Sequence, residues 1–251
     1  MSVETATLHK SGSKANVSNN YYRPVSLTSV VCKIAESLIR DHIIIHFISN
    51  SLFSSKQFGF IKGRSTILQL LHVLDSWVKN LEGGQIDVIY MDFAKAFDKV
   101  PHCRKLYSYG ISDQLILWIK DLLLHKSQRV KINNEFSAWH SVISGIPQGS
   151  VLGSLLFVIF TNDLPDTCSD FAEIFLFTDD AKLFRHVKYT EDSAVLQRSC
   201  DRLFQWSNQR LLRLNVDKCK VLSIGLRNTT DFTYYLGDVN DRIELERGHP
   251  L

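Results

Sequence analysis

The clearest pattern along the chain is a pair of short apolar segments that each end on acidic residues. In residues 86–90 side chains alternate between two faces before the chain reaches Asp92, which predicts a buried strand. A second apolar segment, residues 174–177, leads directly to Asp179 and Asp180 after one threonine. If the two strand ends are adjacent, their carboxylates repel one another and favour a cation between them. The pattern therefore predicts a metal site.

The rest of the chain shows mostly helical periodicity with a few further strands. Helices are predicted over residues 29–48, 66–78, 101–109, 112–124, 151–163 and 191–214, and strands over 129–132, 137–143, 181–187, 221–224 and 232–236. Residues 1–20 are rich in Ser, Asn and Lys and are predicted to be loop. The order of elements indicates an α+β domain with an antiparallel sheet and helices over one face.

Composition narrows the class of protein without identifying a partner. The 251 residues are 45% apolar and 22% charged, as in soluble globular proteins, and the net charge of +3 is too small to indicate a polyanionic ligand. Five scattered cysteines without CxxC spacing are typical of reduced thiols inside a cell. Neither a signal peptide nor a membrane span of about 20 apolar residues is present, so we expect an intracellular protein, in nucleus or cytoplasm.

Six motifs occur in a fixed order along most of the chain. They are YRPVSLT at 22–28, QFGF at 57–60 with GRST at 63–66, DFAKAFD at 92–98, GIPQGSVLG at 145–153, FTDD at 177–180, and LN at 214–215 with KCK at 218–220. Together they resemble the reverse transcriptases of non-LTR (LINE-type) retrotransposons, over about residues 10–225.

The resemblance implies the fingers and palm of a right-hand polymerase, in which helices back an antiparallel, ferredoxin-like palm sheet. The expected division is a flexible segment at 1–20, fingers at 21–85 and 103–140, palm at 86–102 and 141–236, and an irregular tail at 237–251. A thumb is expected to be absent or truncated, because the match fades after Gly225.

The implied activity is that of an RNA-directed DNA polymerase, which adds deoxynucleotides to a primer 3′-hydroxyl with two Mg²⁺ ions, or Mn²⁺ in their place. By resemblance Asp92 and Asp179 bridge the ions and Asp180 is a weaker third ligand, while the alternative for Asp92 is a surface acid at a strand end. Expected partners are an RNA template, a DNA primer and deoxynucleoside triphosphates. Tyr22 and Arg23 are expected to contact the template backbone.

The nucleotide site is expected to combine an aromatic ring with backbone groups. Phe97 resembles the steric gate that excludes a 2′-hydroxyl, although a core phenylalanine is the alternative. Phe93 and Ala94 would offer backbone N–H groups to the triphosphate. Gln148 and Gly149 belong to a loop resembling the one that covers the nucleotide, and the helix after it would offer its N-terminus. A plain turn is the alternative for this loop.

Basic residues complete the implied site. Arg64, with Lys62, resembles the residues that reach the incoming triphosphate, and a solvated basic loop is an equal alternative. Lys218 resembles the lysine that donates a proton to the leaving pyrophosphate, with Lys220 as its rival.

Some features depart from the resemblance. Thr178 stands where the family usually has alanine, and neither an endonuclease region before residue 1 nor a helical thumb after 225 is expected. A second hypothesis is therefore an inactive, truncated remnant that at most binds nucleic acid. A group II intron maturase is a third, less similar possibility. The sequence does not indicate an oligomeric state.

Overall fold

The computed structural model of the chain describes residues 2–9, 22–80, 84–94, 96, 104–124, 126–132, 135–142, 145–146, 149–168, 170–225, 231–238 and 240–248. These residues form two units. The first comprises Met1–Leu52 and Phe97–Phe160, and the second comprises Phe53–Ala96 and Thr161–Leu251. The predicted boundaries between fingers and palm stay a prediction.

The first unit combines four helices with a mixed sheet. Its elements are β1 (Ser2–His9), β2 (Tyr22–Leu27), α1 (Val30–Ser49), α3 (Arg104–Ser108), α4 (Asp113–Leu123), β4 (Lys126–Ile132), β5 (Glu135–Phe136), β6 (His140–Val142) and α5 (Val151–Thr161). Strand β1 lies between β2 and β4, antiparallel to the former and parallel to the latter, and β5 and β6 both pair with β4.

The N-terminal strand differs from the prediction of loop over residues 1–20. Ser2–His9 pairs with strands on both sides, so long-range pairing overrides a polar local sequence. Residues 10–21 lie outside the described part of the chain.

The second unit is built on one sheet with two long helices. Its elements are α2 (Thr66–Asn80), β3 (Gln85–Asp92), a 3₁₀ turn (Pro165–Thr167), β7 (Glu173–Phe177), β8 (Asp180–Val187), α6 (Thr190–Gln209), a second 3₁₀ turn (Val216–Lys218), β9 (Lys220–Gly225), β10 (Tyr235–Asp238), β11 (Asp241–Glu244) and β12 (Glu246–Arg247). The sheet order is β12-β9-β3-β8-β7, and from β9 to β7 each strand is antiparallel to its neighbour. The predicted antiparallel sheet is therefore confirmed.

Helices cover both faces of this sheet, so the prediction of helices on one face was wrong. On one face Val73 of α2 packs in an apolar cluster with Ile86, Val88 and Phe184. Arg185, the next residue along β8, points to the other face and pairs with Asp192 of α6 at 3.1 Å. The central strand β3 is consequently buried on both sides, which explains why it is apolar on both.

A buried carboxylate ties the central strand to the end of the chain. Asp87 on β3 is 1% exposed and accepts hydrogen bonds from Gln85 Nε2 (2.9 Å), Ser223 Oγ (2.7 Å) and Tyr234 Oη (2.6 Å). Burial, followed by the negative charge of Asp87, raises the pKa of Tyr234. The hydroxyl therefore stays protonated and serves as a donor to the carboxylate.

The described part of the tail, residues 237–238 and 240–248, is mostly strand, contrary to the prediction of an irregular segment. Strands β10 and β11 form an antiparallel hairpin, and β12 adds to the sheet edge parallel to β9. The hydrogen bond from Tyr234 to Asp87 anchors the start of this hairpin in the core.

Most apolar residues in the predicted stripes of two helices are exposed. Helices α1 and α2 were both predicted and both form, and the exposed stripe residues are Val30, Val31, Ile34 and Leu38 of α1, and Ile67, Leu70, Leu71 and Leu74 of α2. Of the other two predicted apolar positions in α1, Ile43 is buried and Ile39 is partly buried. Glu36 and Phe47 of α1 are also buried. No helix among the described residues is long and apolar enough to cross a membrane.

We expect Tyr234→Phe to lower the free energy of unfolding by about 1–3 kcal/mol, because Asp87 then loses a buried hydrogen bond. Urea denaturation followed by circular dichroism measures this. The matched control is Tyr107→Phe, since Tyr107 is half exposed and should change stability little. Equal stabilities for the two variants would contradict the role assigned to the Tyr234 hydroxyl.

Candidate active site

Strand pairing brings the predicted carboxylates to one corner of the sheet in the second unit. The antiparallel register of β3 and β8 makes Asp92 the direct neighbour of Asp180. Asp179 precedes Asp180 in the turn that joins β7 to β8. The three acids that the sequence predicted to meet are therefore adjacent in the fold, because both strands end at the same corner.

The turn that carries Asp179 is tight and has an unusual backbone. Phe177 pairs with Asp180, which leaves only Thr178 and Asp179 in the loop. Thr178 has a φ of 59°, a left-handed conformation that is uncommon for a β-branched residue. Such an outlier persists only where the surroundings hold it in place.

Gln57 holds this turn from the side. Its buried side-chain oxygen accepts the Thr178 N–H at 3.2 Å and the Gly59 N–H at 2.8 Å. The flanking backbone adds two bonds to β7, from Phe58 N to Leu176 O and from Leu176 N to Lys56 O, both 2.9 Å. The segment around Gln57 therefore acts as an extra edge of the sheet that fixes the acidic turn.

Gly59 is required at its position by the closeness of the turn. A Cβ atom built there would lie 2.5 Å from Thr178 N and 2.6 Å from Thr178 Oγ1, well inside contact distance. The sequence motif at 57–60 contained both Gln57 and Gly59, but sequence reasoning gave neither a role at the acidic turn.

Lys218 lies beside the first carboxylate, as expected for one of the two candidate lysines. Its Nζ is 3.0 Å from Asp92 Oδ2. The backbone supports this placement, since Asn215 N donates to Asp92 O at 2.7 Å. The rival, Lys220, pairs instead with Glu246. The geometry therefore favours Lys218 as the lysine of the site.

The carboxylates at this corner interact unfavourably with one another. Burial raises the pKa of the Asp180 carboxyl, and the charges of Asp179 and then Asp92 raise it further, against the opposing charges of Lys182 and Lys218. The negative charges at this corner therefore repel one another, as the sequence predicted.

The carboxylates of Asp92, Asp179 and Asp180 are suitable ligands for a divalent cation, but their side chains do not converge on one point. Carboxylate oxygens are the ligands that hard cations such as Mg²⁺ prefer. Among the described residues, however, no group of three or more Asp, Glu, His or Cys side chains is arranged to hold a metal ion. The Lys218 ammonium on Asp92 already supplies positive charge at one of these carboxylates.

One of the two backbone N–H groups predicted to bind the triphosphate is engaged within the fold, and the use of the other stays a prediction. Ala94 N donates to Arg213 O at 2.8 Å, so this N–H is already engaged. Phe93 is buried and its ring lies 6.4 Å from that of Trp206. Phe93 thus anchors the end of β3 in the core.

Arg64 is tied into its own loop. Its Nη1 donates to the carbonyl oxygens of Ser54 and Gln57, and burial lowers its pKa. These bonds close the loop next to the segment that holds the acidic turn, and a phosphate contact by Arg64 stays a prediction. Lys62 is exposed.

The loop before α5 is described in part, and it lies in the first unit. Gly149 is exposed with a φ of 100°. The first N–H groups of α5 donate to the side chain of Glu36, so the expectation that this helix end is open to a nucleotide was wrong. Phe97, Gln148 and the side chains of Tyr22 and Arg23 lie outside the described residues.

Because its pKa is raised in the folded protein, Asp180 opposes folding once it is ionised. We therefore expect Asp180→Asn to raise the melting temperature of the metal-free protein at pH 7, by about 1 °C given the exposure of the group. The gain should disappear below the pKa of an unfolded aspartate, about 3.9, where both states are protonated. Thermal melts in EDTA over a pH series test this.

The control for these melts is Asp170→Asn, since Asp170 is an exposed aspartate outside the acidic corner. If Asp180→Asn stabilises the protein no more than Asp170→Asn does, the ionised Asp180 carboxylate does not oppose folding.

Comparisons with known proteins agree with the geometry. The model of the reverse transcriptase (RNA-dependent DNA polymerase) family matches residues 8–238. The RNA-directed DNA polymerase from mobile element jockey of Drosophila melanogaster is 29% identical over 228 residues, which cover 87% of this chain and 25% of that protein. The jockey polymerase of Drosophila funebris is 31% identical over 208 residues, covering 79% of this chain and 23% of the relative. The chain thus spans about a quarter of the length of the curated relatives that it matches.

Two solved structures share the fold at low sequence identity. Apo telomerase from Candida tropicalis, truncated from its C-terminal domain, aligns with a TM-score of 0.63 and 12% identity over 97% of this chain and 53% of its own. Telomerase from Candida albicans with a TWJ fragment of telomeric RNA aligns with a TM-score of 0.63 and 10% identity. This alignment covers 97% of this chain and 44% of the telomerase chain. The predicted α+β polymerase fold and the resemblance to LINE-type enzymes are confirmed. The chain belongs to the reverse transcriptase family.

Proposed function

We propose that this chain carries the nucleotide-adding centre of an RNA-directed DNA polymerase that extends a DNA primer along an RNA template. The observation that carries the proposal is the corner at which Asp92 and Asp180 are strand neighbours, with Asp179 in the turn and Lys218 at 3.0 Å from Asp92. Its substrates would be deoxynucleoside triphosphates, and the reaction would release pyrophosphate.

The carboxylates would hold two Mg²⁺ ions, for which Mn²⁺ would be a substitute. Asp92 and Asp179 would bridge the ions, and Asp180 would be the weaker third ligand. When bound, such ions make the primer hydroxyl a better nucleophile and stabilise the charge on the triphosphate. Burial raises the pKa of Asp180, and the charges of Asp179 and Asp92 raise it further. Bound cations would relieve the repulsion between these charges, which supports the assignment.

Lys218 would act on the leaving group. Its side chain is 64% exposed, so the ammonium can leave Asp92 without breaking a buried contact. Released from Asp92, it would donate a hydrogen bond and then a proton to the departing pyrophosphate. Within the free protein, the same ammonium offsets part of the negative charge of the corner.

The nucleotide and the template would be held by residues outside the acidic corner. Gln148 and Gly149 would cover the sugar and base, and the positive φ of Gly149 suits a backbone that approaches a ligand closely. Tyr22, Arg23 and the exposed Lys62 would contact nucleic-acid phosphates. That telomerase of this fold was solved with telomeric RNA supports a nucleic-acid partner.

Primer extension tests the proposal. The purified chain, an RNA template, a DNA primer, Mg²⁺ and deoxynucleotides should give extension, and Asp179→Asn should slow it by about 100-fold or more, since a bridging carboxylate is lost. Asp170→Asn is the matched control and should extend at the wild-type rate. A near-normal rate for Asp179→Asn would contradict the assignment of Asp179 as a metal ligand. No extension by folded wild-type protein would favour an inactive remnant instead.

Selection against ribonucleotides gives an independent test. Phe97→Ala should raise the ratio of ribonucleotide to deoxynucleotide incorporation by about tenfold or more, because space opens for the 2′-hydroxyl. Phe136→Ala, at a half-exposed phenylalanine of the first unit, is the control. The ratio is measured by single-nucleotide extension with each triphosphate in turn. An unchanged ratio would show that Phe97 is not the gate.

A further inference from the structure

A single buried carboxylate organises the start of helix α5. Glu36, on α1, is 1% exposed. Its Oε2 accepts hydrogen bonds from Ser150 Oγ at 2.7 Å, from Val151 N at 2.7 Å and from Leu152 N at 3.2 Å. All of these residues belong to the first unit.

The arrangement is a helix cap supplied by another helix. The first N–H groups of a helix have no partner within the helix and carry partial positive charge, so an anionic acceptor satisfies them. Ser150 adds a local cap, because its Oγ also accepts the Gly153 N–H at 3.1 Å. One charged side chain therefore caps the start of α5 and also holds Ser150, the residue that directly follows Gly149 in the chain.

Packing alone does not require this carboxylate. Helix α5 is strongly apolar and its buried residues would pack without a charge beside them. A buried ionised group is costly unless its oxygens are hydrogen-bonded, and apolar replacements are often no less stable. The carboxylate instead fixes three hydrogen-bond donors, which belong to Ser150, Val151 and Leu152. These three residues directly follow Gly149.

We infer that Glu36 is a positioning residue for the incoming nucleotide. It acts through Ser150 and the first turn of α5, and so fixes the position of Gly149, the residue directly before them. The inference rests on the proposed function, which places Gly149 over the sugar and base of the deoxynucleotide. Glu36 itself touches no substrate.

The experiment uses Glu36→Gln, which keeps the size of the side chain but removes its charge. Because the amide oxygen is a weaker acceptor than the carboxylate, Ser150 and the first turn of α5 are held less firmly. The KM for deoxynucleotide should therefore rise about fivefold, while kcat should change less than about twofold. Glu36→Asp, which keeps the charge, should recover part of the affinity. Ser150→Ala should raise KM in the same way, and the double variant should be little worse than either single one.

Asp87→Asn is the control for a merely structural effect. It weakens a comparably buried and hydrogen-bonded carboxylate in the other unit, so it should lower the melting temperature without changing KM. A fivefold rise in KM for Asp87→Asn at equal loss of stability would overturn the inference. An unchanged KM for Glu36→Gln would also overturn the inference.

Equilibrium titration with a fluorescent deoxynucleotide and Mg²⁺ separates this inference from the proposed function. A wild-type chain that binds the nucleotide more tightly than Glu36→Gln, yet extends no primer, would support the positioning role and overturn the polymerase proposal alone. A wild-type chain that binds no nucleotide, or binds it as weakly as Glu36→Gln does, would overturn the positioning role.

Discussion

The pairing register of β3 with β8 is the constraint on which the acidic corner depends. Side chains alternate along a strand, so a slip of one residue would turn every side chain of β3 to the opposite face and separate Asp92 from Asp180. The buried carboxylate of Asp87 makes such a slip costly, because Asp87 would lose its hydrogen bonds from Ser223 and Tyr234. The buried hydrogen bonds that fix the register of β3 therefore also keep Asp92 beside Asp180.

Buried polar side chains complete what the apolar core begins. Gln57 fixes the acidic turn, Asp87 ties the central strand to the C-terminal hairpin, and Glu36 defines the first turn of α5. Each is buried, and each makes hydrogen bonds to segments far away in the sequence. Apolar packing tolerates small shifts, whereas a hydrogen bond to one specific atom does not. Positions that bear on chemistry are accordingly held by polar contacts.

Much of this fold and site could be predicted from the sequence, and the rest could not for physical reasons. The strands ending at Asp92 and before Asp179 were predictable because alternation is a local signal. The meeting of their ends followed from the family resemblance. Gln57 and Glu36 were not given roles, because a polar residue in a loop or helix does not reveal a partner about a hundred residues away.

Local signals were also misleading where long-range contacts decide. The polar segment Ser2–His9 became a strand because two neighbours pair with it. The apolar stripe of α2 pointed outward, while Val73 packs on the sheet instead. The N-terminus of α5 was expected to be open, but Glu36 of α1 accepts its first N–H groups from more than a hundred residues earlier in the chain.

The close contact between Gly59 and the left-handed Thr178 means that the three acids alone do not define this corner in related sequences. Here an alanine at 59 would displace the turn that carries Asp179 while leaving all three acids in the reading frame. A related sequence that keeps the acids but has a side chain at this position must therefore carry Asp179 on a differently placed turn.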